Sequence, residues 1–267
     1  MGTWSPVCKG RSGRFAQSKL FLLLSVGLAV SGVASAQAPQ SPAAGSALQA
    51  APPLTAQQIA GELEERNHER ELALRKFQGR RAYHVEYHGF LGTRIADAVV
   101  DYSYSAPADK EFTIVSQSGS KILVEHVIEG LLNAEKEAVS EDNKKRSALT
   151  EQNYDFALAS AEAPQPDSDY VLTVTPKADN KFLYHGKIWV DPKDFAVTRI
   201  EAEPAKDPSF WLKKTKVTHR YEKVGDFWLP AENQSDSAIR LGGRAVLSIK
   251  YTDYKITEAS PLAEAAP

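Results

Sequence analysis

The sequence predicts an α+β fold: a strongly curved antiparallel sheet of about ten strands in meander order, with two helices. Two observations carry this. From residue 152 onward, bursts of aromatic and branched residues are parted by links as short as "KADN", "DPKD" and "KVGD". Links that short join antiparallel neighbours, because a parallel crossover takes a dozen residues or more. Ahead of these bursts stand two stretches with helical spacing of apolar residues. A sheet of so many strands has to curl and leaves a concave face to be covered. The helix at 120–138 is the expected lid.

The elements follow in order. Lys9, Arg11, Arg14 and Lys19 precede the apolar run Leu20 to Val33, which ends at Ala34-Ser35-Ala36. That three-part layout predicts a secretory signal at 1–36, cleaved after Ala36, with a core too short for a comfortable bilayer span. The single cysteine, Cys8, lies ahead of the apolar core, so it is not the lipidated residue of a lipoprotein signal, and the mature chain has no thiol. An exported, periplasmic protein is expected. Residues 37–53, "QAPQSPAAGSALQAAPP", have no charge and no large apolar surface to bury, and read as a disordered tether. The tail at 258–267 reads the same way, which leaves a folded domain at 54–257.

Thr55 is placed to cap a first helix with Ile59, Leu63, Leu72, Leu74 and Phe77 as a loose apolar stripe. From Arg81 the pattern turns extended: "RAYHVEYHGF", "RIADAVVDYSYS" and "KEFTIVSQSG". The second helix, "SKILVEHVIEGLLNAEKEAVSED", carries Ile122, Val124, Val127, Ile128, Leu131 and Leu132, enough for one broad buried side. A polar stretch to Thr150 is helical or loop-like. Strands are then expected at 153–160, 169–176, 180–191, 194–203, 214–224, 227–237 and 243–256.

Charge excludes one class of function. The chain has 32 basic and 34 acidic residues. Four of the basic ones and none of the acidic ones fall in the signal, so the mature chain is net acidic and lacks the basic stripe that nucleic acid requires. No GxSxG, P-loop or GxGxxG motif occurs. His84 and His88 would chelate on a helix, but on a strand they stand about 13 Å apart at 3.3 Å per residue, so no metal and no cofactor are expected.

The stretch from Tyr170 to Pro176, the run Gly186 to Asp191, Phe195 to Arg199, and Trp228-Leu229-Pro230 together resemble the outer-membrane lipoprotein-sorting superfamily, which includes the periplasmic lipoprotein carrier and its outer-membrane receptor. The likeness in layout runs over roughly 80–257. It implies an unclosed half-barrel of about eleven strands, capped by helices over a hydrophobic cavity. It also implies non-catalytic binding of lipid or lipoprotein acyl chains in outer-membrane biogenesis, by a monomer, with an inner- or outer-membrane protein as a further partner. The long charged segment after the second helix and the tether before the first depart from a dedicated carrier. Two other classes stay open: a periplasmic regulator that senses lipoproteins, and a secreted hydrolase of lipid or cell-wall material.

A cavity for acyl chains needs apolar side chains aimed inward and no chemistry, at about 0.8 kcal/mol per methylene buried. On the strand at 181–191, Phe182, Tyr184, Ile188 and Val190 share one face. With Val124, Ile128 and Leu131 from the lid helix they form the expected lining. Arg199, with Val197 as its same-face neighbour on a strand, must pair or reach solvent. It is either a headgroup contact or one half of a salt bridge to Glu201 or Glu203. Phe210, Trp211 and Leu212, ahead of two lysines, read either as a membrane or partner contact or as the start of a strand.

Overall fold

A computed structural model describes residues 53–107, 109–137, 141–159, 168–180, 182–240 and 242–262. The expected signal at 1–36 and all but the last residue of the expected tether lie outside this range. Ten antiparallel strands form one open sheet: β1 (Leu74–Gly89), β2 (Gly92–Ser105), β3 (Asp109–Gly119), β4 (Tyr154–Leu158), β5 (Tyr170–Pro176), β6 (Tyr184–Val190), β7 (Val197–Pro204), β8 (Leu212–Val224), β9 (Phe227–Ile239) and β10 (Arg244–Ala259). Their order is β3-β2-β1-β10-β9-β8-β7-β6-β5-β4. The meander is therefore broken once, where β1 joins β10 along a register from Leu74↔Ala259 to His88↔Arg244. Strands β3 and β4 are the free edges, and the sheet does not close.

Helix α1 (Ala56–Ala73) opens on a capping box. The Thr55 hydroxyl accepts from the Gln58 amide at 3.2 Å, and Gln58 Oε1 accepts from the Thr55 amide at 2.9 Å. Two N–H groups that the first turn leaves open are satisfied reciprocally. The expected apolar stripe is cut short, since Leu74 and Phe77 belong to β1. Leu74 is already extended, at φ −81 and ψ 103. The helix buries Ala56, Ile59, Ala60 and Leu63.

The second helical stretch is composite: a single turn α2 (Lys121–Leu123), a π-helical turn (Val124–Ile128), then α3 (Glu129–Glu137). Val124, Ile128, Leu131 and Leu132 are buried, whereas Ile122 faces solvent. Helix α4 (Glu141–Ser147) fills the polar stretch that follows.

Two large apolar cores result, one under each helical cover, beside a small third cluster of Ala73, Phe227 and Leu229. Under α1 lie Tyr154 and Phe156 of β4, Leu172 and Val174 of β5, Tyr184, Ile188 and Val190 of β6, and Ile200 of β7. Under α2–α3 lie Tyr83 and Val85 of β1, Ala96 to Tyr102 on alternate positions of β2, and Leu247, Ile249 and Tyr251 of β10. The helix expected as the lid over β6 thus covers the other half of the sheet, and α1 covers β6. Alternation along one strand shows which residues turn inward; it carries no information on which helix meets them.

Arg199 shows the same limit locally. A register shift lies between Trp189↔Arg199 and Val190↔Val197. The extra residue, Thr198, lets both Val197 and Ile200 turn inward, while Arg199 sits opposite Trp189 on the convex side. The expectation that Arg199 shares a face with Val197 fails because of this bulge.

Candidate functional site

The turn between β6 and β7 organises one end of the concave face. Asp191 Oδ1 accepts from the amides of Lys193 and Asp194 at 2.9 and 2.7 Å, and Phe195 follows at φ +44. The turn is held from three sides. Arg70 of α1 donates to the Asp194 and Phe195 carbonyls at 2.8 and 2.9 Å. Trp228 Nε1 of β9 donates to Asp194 Oδ2 at 2.8 Å, and Lys223 of β8 pairs with the same oxygen at 2.6 Å. Burial lowers the Arg70 guanidinium to about 10, against the pull of Asp194. Two stretches singled out in the sequence, Phe195 to Arg199 and Trp228-Leu229-Pro230, meet here through Asp194.

Beneath this clamp, between the last turns of α1 and the concave face, lies a half-open pocket of about 170 Å³. Leu74, Leu149, Val197, Tyr221, Phe227 and Leu229 give it apolar walls, and Asn67, Arg70 and Glu71 stand along it on the α1 side. A dry apolar cavity of similar size accepts a benzene-sized molecule. The pocket therefore has room for a short apolar group and, as it stands, not for a whole acyl chain.

Of the residues expected to line a cavity, Tyr184, Ile188 and Val190 pack together under α1, and Val124, Ile128 and Leu131 pack together under the other cover. The structure does not bring the two sets into one cluster. Phe182 precedes β6, is half-buried, and lies 6.0 Å beneath the Arg146 guanidinium. The adjacent Leu183 takes the core position. The pocket residues Leu149, Tyr221 and Phe227 were not among the expected lining. They come from two segments far apart in the chain, Leu149 ahead of β4 and Tyr221 with Phe227 on the β8–β9 hairpin, and only the Trp-Leu-Pro run beside Phe227 signals them.

The second cover is fastened by charge. Arg81 occupies an inward position of β1 and grips the Glu135 carboxylate of α3 with both terminal nitrogens, at 2.6 and 3.1 Å. Lys110 of β3 adds a contact of 2.9 Å to Glu135 Oε1. The guanidinium lies over the rings of Tyr102, Tyr251 and Phe112, at 4.1, 5.0 and 5.1 Å. Burial alone would raise the Glu135 carboxyl, but the charges of Arg81 and Lys110 outweigh it and hold the group at about 2. The Arg81 Nε is buried with no hydrogen-bond partner.

Between the two covers the concave face turns polar. Asn233 of β9 faces His219 of β8, and Ser235 faces Val217. Thr215 and Ser237 share a hydrogen bond of 2.9 Å, and Asn233 Nδ2 donates to the Tyr251 hydroxyl at 2.8 Å. His219 is buried, and desolvation pushes its pKa below the usual value, opposed in part by the neighbouring Asn233. The concave lining is thus two apolar fields divided by a polar seam.

On the convex face, Arg199 pairs with Glu201 and lies 4.8 Å over the Trp189 ring. His84 and His88 each bond through Nε2 to a different oxygen of Glu86, at 2.9 and 3.0 Å. Among the described residues no group of three or more His, Cys, Asp and Glu side chains is placed to hold a metal ion, and no helix is long and apolar enough to cross a membrane.

No family model and no curated protein matches the chain. Solved structures do. A LolA superfamily protein from Nitrosomonas europaea aligns at 12% identity over 78% of this chain and 96% of its own, with a TM-score of 0.35. A DUF1329 family protein from Desulfovibrio piger aligns at 12% identity over 76% and 93%, with a TM-score of 0.37. An outer membrane lipoprotein-sorting protein domain from Vibrio parahaemolyticus aligns at 11% identity over 74% and 92%, with a TM-score of 0.35.

Proposed function

We propose that this protein is an exported, non-catalytic carrier that holds the acyl chains of a lipid or lipoprotein against the concave face of its sheet. The observation that supports this best is the apolar pocket between α1 and β7–β9. Its walls are mainly apolar, and its cover is fastened at the rim by Arg70 and Asp194. Each methylene that enters contributes about 0.8 kcal/mol. A pocket of about 170 Å³ admits the end of a chain; longer stretches require α1 to move away from β7–β9. The basic and apolar run at the start of the sequence supports a periplasmic setting.

The test is native mass spectrometry of the protein purified after export. Phospholipid or acylated peptide should co-purify, and Val197→Trp, which fills the pocket, should abolish it while the thermal melt stays cooperative. A clean apo mass, together with no uptake of a fluorescent fatty acid by the unmodified protein, would overturn the reading. A second reading, a protein-binding regulator, is favoured by the open edge of β3, where Val115 is exposed and the backbone is free to pair with an extended segment.

A further inference from the structure

Three neighbouring connections crowd one end of the sheet, and together they carry the exposed aromatic side chains of the described residues. Phe90 and Leu91, at the tip of the β1–β2 hairpin, are 100% and 92% exposed. Phe210 and Trp211, between β7 and β8, are 64% and 46% exposed. These two rings touch edge to face, with centroids 5.2 Å apart.

The β9–β10 turn joins the two sites. Arg240 donates its amide to the Trp211 carbonyl at 2.8 Å and its Nε to the Phe210 carbonyl at 2.7 Å, and its guanidinium lies 5.1 Å over the Phe210 ring. On its other side, Gly243 at φ +104 comes so close to the β1–β2 hairpin that a Cβ there would collide with the His88 carbonyl oxygen. The aromatic and aliphatic tips therefore stand on one rim of adjacent turns.

The rim also differs in charge from the rest of the chain. Segments 89–94, 205–214 and 240–244 contain six basic residues and one acidic residue, Asp207, in a chain whose formal net charge is −2. Asp207 is paired to Arg240 at 3.3 Å. Lys206, Lys214 and Arg94 are exposed around the apolar tips, and Arg244 beside them is paired with Asp236. Apolar and aromatic side chains at the summit with basic ones around them suit a bilayer boundary, where rings enter the headgroup zone and cations meet anionic lipid. A protein interface of ordinary composition would be depleted of lysine.

We propose that this rim docks reversibly on an anionic membrane surface, with Phe90, Leu91, Phe210 and Trp211 entering the headgroup layer. This does not rest on the cavity reading, and the two are separable. The exported protein should sediment with vesicles of phosphatidylethanolamine and phosphatidylglycerol, and at least tenfold less with vesicles of phosphatidylcholine alone. The double variant Phe90→Ser/Leu91→Ser should lose at least tenfold in binding with an unchanged melt, because both side chains stand in solvent. The pocket variant Val197→Trp should bind vesicles as the unmodified protein does. Trp211 emission should shift to the blue on binding, a shift absent in Trp211→Phe. Equal binding to both kinds of vesicle, or binding untouched by the Phe90/Leu91 change, would overturn the proposal. So would concentration-dependent dimers in sedimentation velocity that the same change abolishes, since the rim would then meet a second copy of the chain.

Discussion

Replacing Glu135 by Gln tests whether charge fastens the second cover to the sheet. The substitution keeps the shape of the side chain and one acceptor but removes the charge that Arg81 and Lys110 share. Lys110, with 24% of its side chain exposed, can turn to water. Arg81, at 7%, cannot, and is left under three aromatic rings with its charge unpaired. Removing one partner of a buried pair costs about 3–5 kcal/mol. An independent figure comes from the Glu135 carboxyl itself. Lowering it from 4.5 to about 2 corresponds to about 3 kcal/mol, at about 1.4 kcal/mol per pH unit. Glu135 retains 18% exposure, which favours the lower end, so about 3 kcal/mol is expected.

Urea denaturation followed by circular dichroism measures the loss at neutral pH. Because the folded-state pKa is depressed, the contribution is complete above pH 4.5 and fades as pH falls toward 2. The gap between the unmodified protein and Glu135→Gln should close over that window. The double variant Arg81→Met/Glu135→Leu should recover most of the loss, since a hydrophobic replacement of a buried pair is often neutral or better. A Glu135→Gln protein within about 0.5 kcal/mol of the unmodified one would refute the reasoning, and the pair would then be an ornament on a cover held by apolar packing.

Three further outcomes follow from the described contacts. Thr55→Ala should cost about 1 kcal/mol by removing one half of the α1 capping box, measured by thermal denaturation. Ile188→Ala and Ile128→Ala, each at a fully buried site in a different core, should each cost about 2–5 kcal/mol, and their effects should add because the clusters share no member. His219 is neutral in the fold and its pKa is lowered, chiefly by desolvation. Its contribution is therefore present above pH 6.5 and lost as pH falls below that value, and His219→Leu should flatten the pH dependence of stability there.

Much of the sheet was legible because neighbouring strands are joined by short turns whose residues announce themselves, as Asp191 does by accepting from two following amides. What escaped had physical causes. The sequence places the start of β1 in a helix because its inward row, Phe77, Gly79, Arg81, Tyr83 and Val85, contains a glycine and an arginine where alternation calls for apolar groups. Arg81 holds a core position only because Glu135, more than fifty residues away, neutralises it. The bulge at Thr198 reversed the face of Arg199, and nothing in the local composition marks an inserted residue. The pocket stays hidden for a third reason: Leu149 meets Tyr221 and Phe227 of the β8–β9 hairpin only in the folded chain, with α1 across the sheet.

The junction of β1 with β10 also dictates an order of assembly. Strands β4 to β9 pair only with sequence neighbours, so each hairpin can form as soon as its two strands are available. Strand β1 finds β2 at once, but its other edge is matched by Arg244 to Ala259 alone. Until that last strand arrives, the β1–β3 ribbon has an unpaired edge, and the aromatic bed for Arg81 is missing Tyr251. Pairing across so long a stretch of chain is the slow step in building a sheet, and an unsatisfied edge that waits for it is open to the wrong partner. A chain that is threaded across a membrane before it folds would therefore present this ribbon first and complete it last, which makes the interval between the two the moment when a chaperone is most useful.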